Sequence, residues 1–118
     1  MHTDSDFRIA LLPGDGVGIE IMDACLDVLN TLTTRIGGFC LATERLPGAA
    51  AYYRNTGVAL PDESFKVAEK ADAILFGAMG LPDGTEVNPQ INFRMGFELY
   101  AGVRPIKAMA NNRTYPPT

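Results

Sequence analysis

The chain has 118 residues, of which 47% are hydrophobic and 20% charged, a composition typical of one globular domain rather than a disordered segment. Its net charge is −4 and no basic block is present, which argues against a nucleic acid or a membrane surface as the partner. No run of eighteen apolar residues occurs and the N-terminus is acidic, so neither a transmembrane helix nor a signal peptide is predicted. We therefore expect a cytoplasmic protein.

The few residues with metal-binding or redox chemistry do not form a site. Cys25 and Cys40 belong to no Cys-x-x-Cys motif, and His2, the single histidine, is next to the N-terminus. We expect two buried, reduced thiols. The sequence predicts no metal ligand and no histidine base.

The first part of the chain predicts a strand, a helix and a second strand. Residues 7–12 form an apolar run that ends at Pro13, as a buried strand would. Residues 38–46 predict the next strand, before Pro47-Gly48. Between them, apolar residues recur at helical spacing up to Gly37-Gly38: Ile21, Cys25, Val28, Leu29 and Leu32.

The middle of the chain continues this alternation. Short helices are predicted at residues 49–55 and from Pro61 to Lys70, followed by a buried strand at 73–76. Strands alternating with helices predict an α/β fold of βαβ units with a largely parallel sheet. Residues 80–90 predict a loop at the carboxyl end of a strand, where open α/β sheets bind ligands.

The turn between the first strand and the first helix is rich in glycine. Gly14 and Gly16 fit the first two places of the dinucleotide motif G-x-G-x-x-G, but the third place falls on Ile19, and Gly18 is one residue early. The dinucleotide signal is therefore weak. Either these glycines line a cleft, or they only form a tight turn that needs positive φ.

Two arginines stand ten residues apart near the end of the chain. Apolar residues around Arg94 predict a short helix, Gly102 allows a turn, and residues 102–106 predict a strand that carries Arg104. A helix that reverses into a strand can aim both guanidinium groups into one cleft, where their planar forks suit a small polycarboxylate. The alternative is that both are surface arginines, in solvated ion pairs with Glu86 and Glu98.

Three stretches resemble the β-decarboxylating dehydrogenases, the family of isocitrate, isopropylmalate, homoisocitrate and tartrate dehydrogenases. Residues 12–20 read Leu-Pro-Gly-Asp-Gly-Val-Gly-Ile-Glu, which departs from the family signature by having Ile19 in place of the usual proline. Residues 57–80 are similar to a second family segment. Phe93-Arg94 and Val103-Arg104-Pro105 resemble its substrate-binding motif.

The resemblance implies the N-terminal part of the isopropylmalate dehydrogenase-like fold, with residues 1–100 in the large domain and 101–118 beginning the crossover toward a second domain. It also implies an activity. A complete chain would oxidise and decarboxylate a malate-type 2-hydroxy-3-carboxy acid with NAD, or alternatively NADP, and Mg²⁺ or Mn²⁺, and would act as a homodimer.

The resemblance also implies site residues. Arg94 and Arg104 would bind the polycarboxylate substrate, while Asn88 and Gln90 occupy positions that distinguish substrates in the family and favour a polar substituent. An alternative for Asn88 is that it only shapes the turn before Pro89. The residues expected beside the cofactor are Gly14, Asp15, Gly16, Gly77, Ala78 and Met79.

The family's catalytic lysine and tyrosine and its metal-binding aspartates lie C-terminal to this chain. We therefore expect no catalytic or metal-binding residue here, and residues 1–118 alone are expected to be inactive and prone to self-association. Two other functions fit the sequence: a non-catalytic dicarboxylate-binding module, and a Rossmann-type nucleotide binder that uses residues 14–18.

Overall fold

The computed structural model describes residues 5–84 and 87–107. Within them the chain alternates strands and helices, as the sequence predicts. The elements in chain order are β1 (Ser5–Leu12), α1 (Val17–Ile36), β2 (Phe39–Arg45), α2 (Ala50–Thr56), α3 (Asp62–Glu69), β3 (Ala73–Phe76) and α4 (Pro89–Gly96).

The three strands form one parallel sheet in the order β2-β1-β3. Ile9 in the central strand pairs with Thr43 on one side and with Ala73 on the other. Helices connect the strands, which confirms the predicted βαβ units. Because the strands are parallel, the loops after β1, β2 and β3 all leave from the same edge of the sheet.

The core lies on one face of the sheet. Ala10 and Leu12 of β1 are each 1% exposed and pack with Leu46, Ala68 and Phe93. Alternation along the strand turns the buried Leu11 toward the opposite face. Of the strand predicted to be buried at residues 7–12, only 10–12 are buried, while Phe7 and Arg8 are exposed and Ile9 is half-buried. The strand at 73–76 is likewise only half-buried, with Ala73 exposed.

Four phenylalanines, which we call the aromatic cluster, attach α4 to the rest of the core. The ring centroid of Phe65 in α3 lies 5.5 Å from that of Phe93 and 4.8 Å from that of Phe97. Phe76 at the end of β3 meets Phe93 edge-on at 5.7 Å. Contacts of this kind each add about 0.5–1.5 kcal/mol beyond area burial, so they fix the position of α4.

Two predicted details differ from the structure. Residues 102–106 form no strand: residues 99–107 belong to no helix or strand, and 101–107 are exposed. A strand needs a neighbour for its N–H and C=O groups, and no described segment pairs with this one. The predicted loop at 80–90 is also shorter, because α4 begins at Pro89.

The cysteine prediction is wrong in part. Both thiols are free, but Cys40 is exposed and Cys25 is only half-buried. Three features named above lie outside the described residues: His2, Glu86 as a partner of the arginines, and residues 108–118 of the predicted crossover.

Candidate functional site

Two turns at the carboxyl edge of the sheet are in direct backbone contact, and we call them the paired turns. They comprise residues 13–18 after β1 and residues 77–80 after β3. The N–H of Asp15 donates to the carbonyl oxygen of Ala78 at 2.9 Å, and the N–H of Gly77 donates to that of Leu12 at 2.8 Å. Adjacent parallel strands thus continue their contact beyond the sheet.

Glycines permit this contact. A Cβ atom on Gly14 would overlap the carbonyl oxygen of Ala78, and one on Gly18 or Gly77 would overlap that of Pro13. Gly14 and Gly16 have positive φ angles of 80° and 53°, as the tight-turn interpretation requires. Gly18 does not have positive φ, so glycine is needed at this position because the backbone of Pro13 approaches it closely.

Asp15 is buried where three segments meet. Its Oδ2 accepts hydrogen bonds from the N–H groups of Ala50 at 3.0 Å and Gly80 at 2.9 Å. Its Oδ1 accepts one from the N–H of Ala51 at 2.7 Å. The side chain predicted to border the cofactor is therefore engaged by the start of α2 and by the turn after β3.

The protonation state of Asp15 follows from these contacts. Burial by itself would raise the pKa of the carboxyl, but the hydrogen bonds from Gly80, Ala51 and Ala50 and the charge of Arg54 outweigh it and hold the pKa below its ordinary value. Asp15 is therefore ionised at neutral pH. Arg54 also forms an ion pair with Asp83, so the negative charge of Asp15 lies beside a paired cation.

An open cleft of about 720 Å³ lies beside the paired turns. It is lined by residues 15–17, 78–82 and 87–88. It brings together four residues predicted beside the cofactor and one predicted beside the substrate: Asp15, Gly16, Ala78, Met79 and Asn88. A Cβ on Gly16 or Gly80 would meet nothing within 4 Å, so the backbone is open to the cleft at both positions.

Asn88 has a local structural role as well as a place in the cleft. Its Oδ1 accepts a hydrogen bond from the N–H of Gln90 at 3.0 Å, and this bond caps the N-terminus of α4. Pro89 follows as the first helical residue. The alternative predicted for Asn88, shaping the chain before Pro89, is therefore observed. The oxygen keeps a second lone pair, so the amide can still offer both N–H donors and an acceptor to a ligand.

The other predicted substrate residues do not line this cleft. Gln90 and Arg94, one helical turn apart, border a second cavity of about 370 Å³ between α3, β3 and α4. Arg104 lies in the exposed segment after α4 and lines neither cavity. Within residues 5–84 and 87–107 the ion pairs are Arg45–Asp23 and Arg54–Asp83, so the predicted pairing of either arginine with Glu98 is not observed.

Sequence reasoning missed the contribution of α2. Ala50 and Ala51 are 35 and 36 residues from the aspartate that holds them, and alanine carries no local signal for such a contact. The one signal in the sequence was Asp15 itself, an acid between two glycines at the end of a buried strand.

Among the residues that the structure describes, no group of three or more His, Cys, Asp or Glu side chains could hold a metal ion. In the same part of the chain, every helix is too short or too polar to cross a membrane. The described side chains therefore do not fit a divalent metal by themselves.

Solved structures with a similar fold are β-decarboxylating dehydrogenases. The chain superposes on the apo crystal structure of a beta-decarboxylating dehydrogenase from Thermococcus kodakarensis with a TM-score of 0.64 and 28% identity, covering 80% of this chain and 27% of that one. Isocitrate dehydrogenase from Methylococcus capsulatus gives a TM-score of 0.61 at 24% identity, over 80% and 26% of the two chains. These matches confirm the predicted fold class.

Sequence comparison defines the family. Residues 8–118 match the family described as isocitrate/isopropylmalate dehydrogenase, and the chain belongs to that family. It is 38% identical to a probable tartrate dehydrogenase/decarboxylase of Agrobacterium vitis, over 88% of this chain and 30% of that protein. It is 42% identical to 3-isopropylmalate dehydrogenase of Streptococcus pneumoniae, over 85% and 30%. The chain thus spans about 30% of the length of these relatives.

Proposed function

We propose that this chain forms the substrate-binding helix and one side of the cofactor cleft of an enzyme that oxidises and decarboxylates a malate-type 2-hydroxy-3-carboxy acid. One observation carries the proposal: the cleft joins the paired turns, predicted beside the cofactor, to Asn88, predicted beside the substrate. Membership of a family of dehydrogenases and decarboxylases supports it.

The proposed cofactors are NAD or NADP and Mg²⁺ or Mn²⁺. The nicotinamide cofactor supplies the hydride acceptor for the 2-hydroxyl carbon, and the cleft suits it because Gly16 and Gly80 leave backbone open to a flat ring. The described residues offer no set of metal ligands, so we assign no step of metal chemistry to them. In the proposed enzyme those ligands and the catalytic lysine and tyrosine come from the rest of the protein.

Arg94 is the residue best placed to bind a substrate carboxylate. It follows Phe93, which is 2% exposed in the aromatic cluster, so its backbone is fixed while its own side chain is exposed. No described acid pairs with it. An arginine on a fixed backbone can bind a carboxylate bidentately through its planar guanidinium group.

The substituent on the substrate is proposed to be polar. Asn88 presents an amide that can both donate and accept hydrogen bonds, which suits a hydroxyl or carboxylate and leaves an alkyl group without a partner. Gln90 stands one turn before Arg94 on the same helix face. The relative named as a tartrate dehydrogenase/decarboxylase agrees with this, since tartrate is malate with an added hydroxyl group.

The test uses the protein as it is made in its source cells, assayed with NAD or NADP, Mg²⁺ or Mn²⁺, and four acids: malate, tartrate, isocitrate and isopropylmalate. We expect turnover of malate or tartrate in preference to isopropylmalate. Arg94→Ala should lower kcat/KM for the acid about a hundredfold, which is the size of loss expected when one partner of a hydrogen-bonded charge pair is removed. Arg94→Lys should recover only part of that loss.

Arg35→Ala is the matched control, because Arg35 is an exposed arginine in the last turn of α1, and it should leave kcat/KM unchanged. Absence of turnover with all four acids would overturn the proposed function. So would NAD reduction by purified residues 1–118, because the chain is proposed to lack the acid–base residues. We further propose that the complete enzyme is a cytoplasmic homodimer, which sedimentation of the native protein would test.

A second candidate is a non-catalytic module that binds dicarboxylates. Such a module would bind its anion at the separate cavity beside Gln90 and Arg94, where the charge of Arg94 is opposed by Glu69 and Asp72 in the same lining. Thermal stabilisation by malate that needs no cofactor and disappears in Arg94→Ala, without turnover, would select this candidate.

A further inference from the structure

We infer that Asp15 is a positioning residue, whose carboxylate ties α2 and the turn after β3 to the turn after β1 and thereby sets the shape of the cofactor cleft. The inference rests on the proposed function and replaces the expectation that Asp15 contacts the cofactor. It concerns binding of NAD(P), the ligand proposed for the cleft.

The hydrogen bonds join segments far apart in sequence. The donors to Asp15 are 35, 36 and 65 residues away, and its own N–H donates to Ala78. At 3% exposure the carboxylate has both oxygens occupied by backbone N–H groups. It is therefore satisfied by the protein before any ligand arrives. An ionised carboxylate would also repel the phosphates of a dinucleotide, which argues against direct contact.

The backbone is strained at Ala49, next to the hydrogen bonds of Asp15, which indicates that these bonds hold the start of α2 in place. Ala49, which precedes α2, has φ 77° and ψ −166°, a region occupied almost only by glycine. Its N–H is held by the carbonyl oxygen of Ala59 at 2.9 Å. The next two N–H groups, of Ala50 and Ala51, are held by Asp15. Strain of this kind persists only where the surroundings over-determine the conformation.

The same carboxylate reaches the lining of the cleft. Gly80 and Ala78 both line it, and both are hydrogen-bonded to Asp15, one through the side chain and one through the backbone. Loss of the carboxylate would free the N–H of Gly80 while leaving the Asp15–Ala78 backbone bond in place. The turn after β3 would then lose one of its two hydrogen bonds to Asp15, and the cleft would lose its fixed width.

Two variants of the complete protein separate positioning from simple stability. Asp15→Ala removes both acceptor oxygens and with them all three side-chain hydrogen bonds. Asp15→Asn keeps one oxygen, which can still accept from Ala50 and Gly80, but places an NH₂ group against the N–H of Ala51. We expect Asp15→Ala to raise KM for NAD(P) at least tenfold and Asp15→Asn to raise it less, while KM for the acid changes less than twofold. Asp27→Asn, an exposed aspartate of α1, is the control and should change neither.

A lowered melting temperature with KM for NAD(P) unchanged in both variants would reduce Asp15 to a purely structural residue and overturn the inference. Equal increases of KM for NAD(P) in both variants would also overturn it, because they would indicate direct contact between the charge and the cofactor. If Asp15→Ala does not fold, the test rests on KM for NAD(P) of Asp15→Asn. An unchanged value in that variant overturns the inference. Failure of the proposed function is distinguishable, since the wild-type protein would then turn over no acid at all.

Discussion

Gly96, the last residue of α4, lies against the ring of Phe65 in α3. A Cβ atom at Gly96 would stand 2.5 Å from Cζ of that ring. The ring cannot swing away freely, because it is stacked on Phe93 and packed on Phe97. The spacing of α3 and α4, and with it the position of Arg94, therefore depends on the absence of a side chain at Gly96.

Gly96→Ala is accordingly expected to destabilise the protein, although alanine favours helix by about 1 kcal/mol over glycine. Overpacking costs typically about 1–3 kcal/mol, so we expect a net loss of about 1 kcal/mol in urea denaturation and an increased KM for the acid. Combining it with Phe65→Leu, which makes room for the new methyl group, should cost less than the sum of the two changes. Strict additivity would show that Gly96 and Phe65 do not constrain each other.

The stability of the protein should depend on the ionisation of Asp15 in acid. Its folded-state pKa lies below the ordinary value of about 3.9. The stabilisation is therefore complete above about pH 4 and is lost as the pH falls through the folded-state pKa. We expect the difference in unfolding free energy between wild type and Asp15→Asn to shrink below pH 4, as measured by urea denaturation from pH 6 to pH 3.

Arg54 and its partner Asp83 are the charged groups to control in that experiment. Arg54→Ala should move the loss of stability to higher pH, because the cation helps to hold the Asp15 pKa down. A difference between wild type and Asp15→Asn that does not change with pH would contradict the assigned ionisation.

Ala49→Gly is expected to stabilise the protein. The strained backbone at Ala49 costs about 1–3 kcal/mol for a residue with a Cβ. Glycine removes this strain but destabilises the folded state by about 0.5–1 kcal/mol, because it loses more chain entropy on folding. We expect a net gain of about 1 kcal/mol in thermal or urea unfolding. Ala51→Gly, at an exposed helical position two residues later, should instead lose about 1 kcal/mol. Equal losses at both positions would refute the strain at Ala49.

Purified residues 1–118 should self-associate. Several large apolar side chains are exposed near the end of the described chain, among them Met95 at 75%, Val103 at 90% and Ile106 at 92%. We expect sedimentation coefficients that rise with concentration, and a weaker rise in Val103→Asp/Ile106→Asp. A monomer with a sharp, high-temperature unfolding transition would contradict this expectation.

The sequence predicted the fold well because its signals are local. Apolar runs and spacings predicted β1, β2, β3 and α1, whereas the start of α4 at Pro89 was missed although Asn88-Pro89 is a capping residue followed by proline. The predicted strand at residues 102–106 was wrong because strand formation depends on a neighbour, which an apolar run does not reveal. The role of Asp15 was equally hidden, since its three donors are backbone groups that every residue type carries.

The backbone contact between the paired turns separates two kinds of position for protein engineering. Gly14, Gly18 and Gly77 hold the paired turns together without side chains, and a Cβ atom at any of them would overlap backbone atoms. The neighbouring lining residues Val17, Met79 and Leu81 do not form that contact through their side chains. A mutant library that varies Val17 and Leu81, and keeps the glycines and Met79, which packs against the core, should therefore diversify ligand preference at little expense in folded protein.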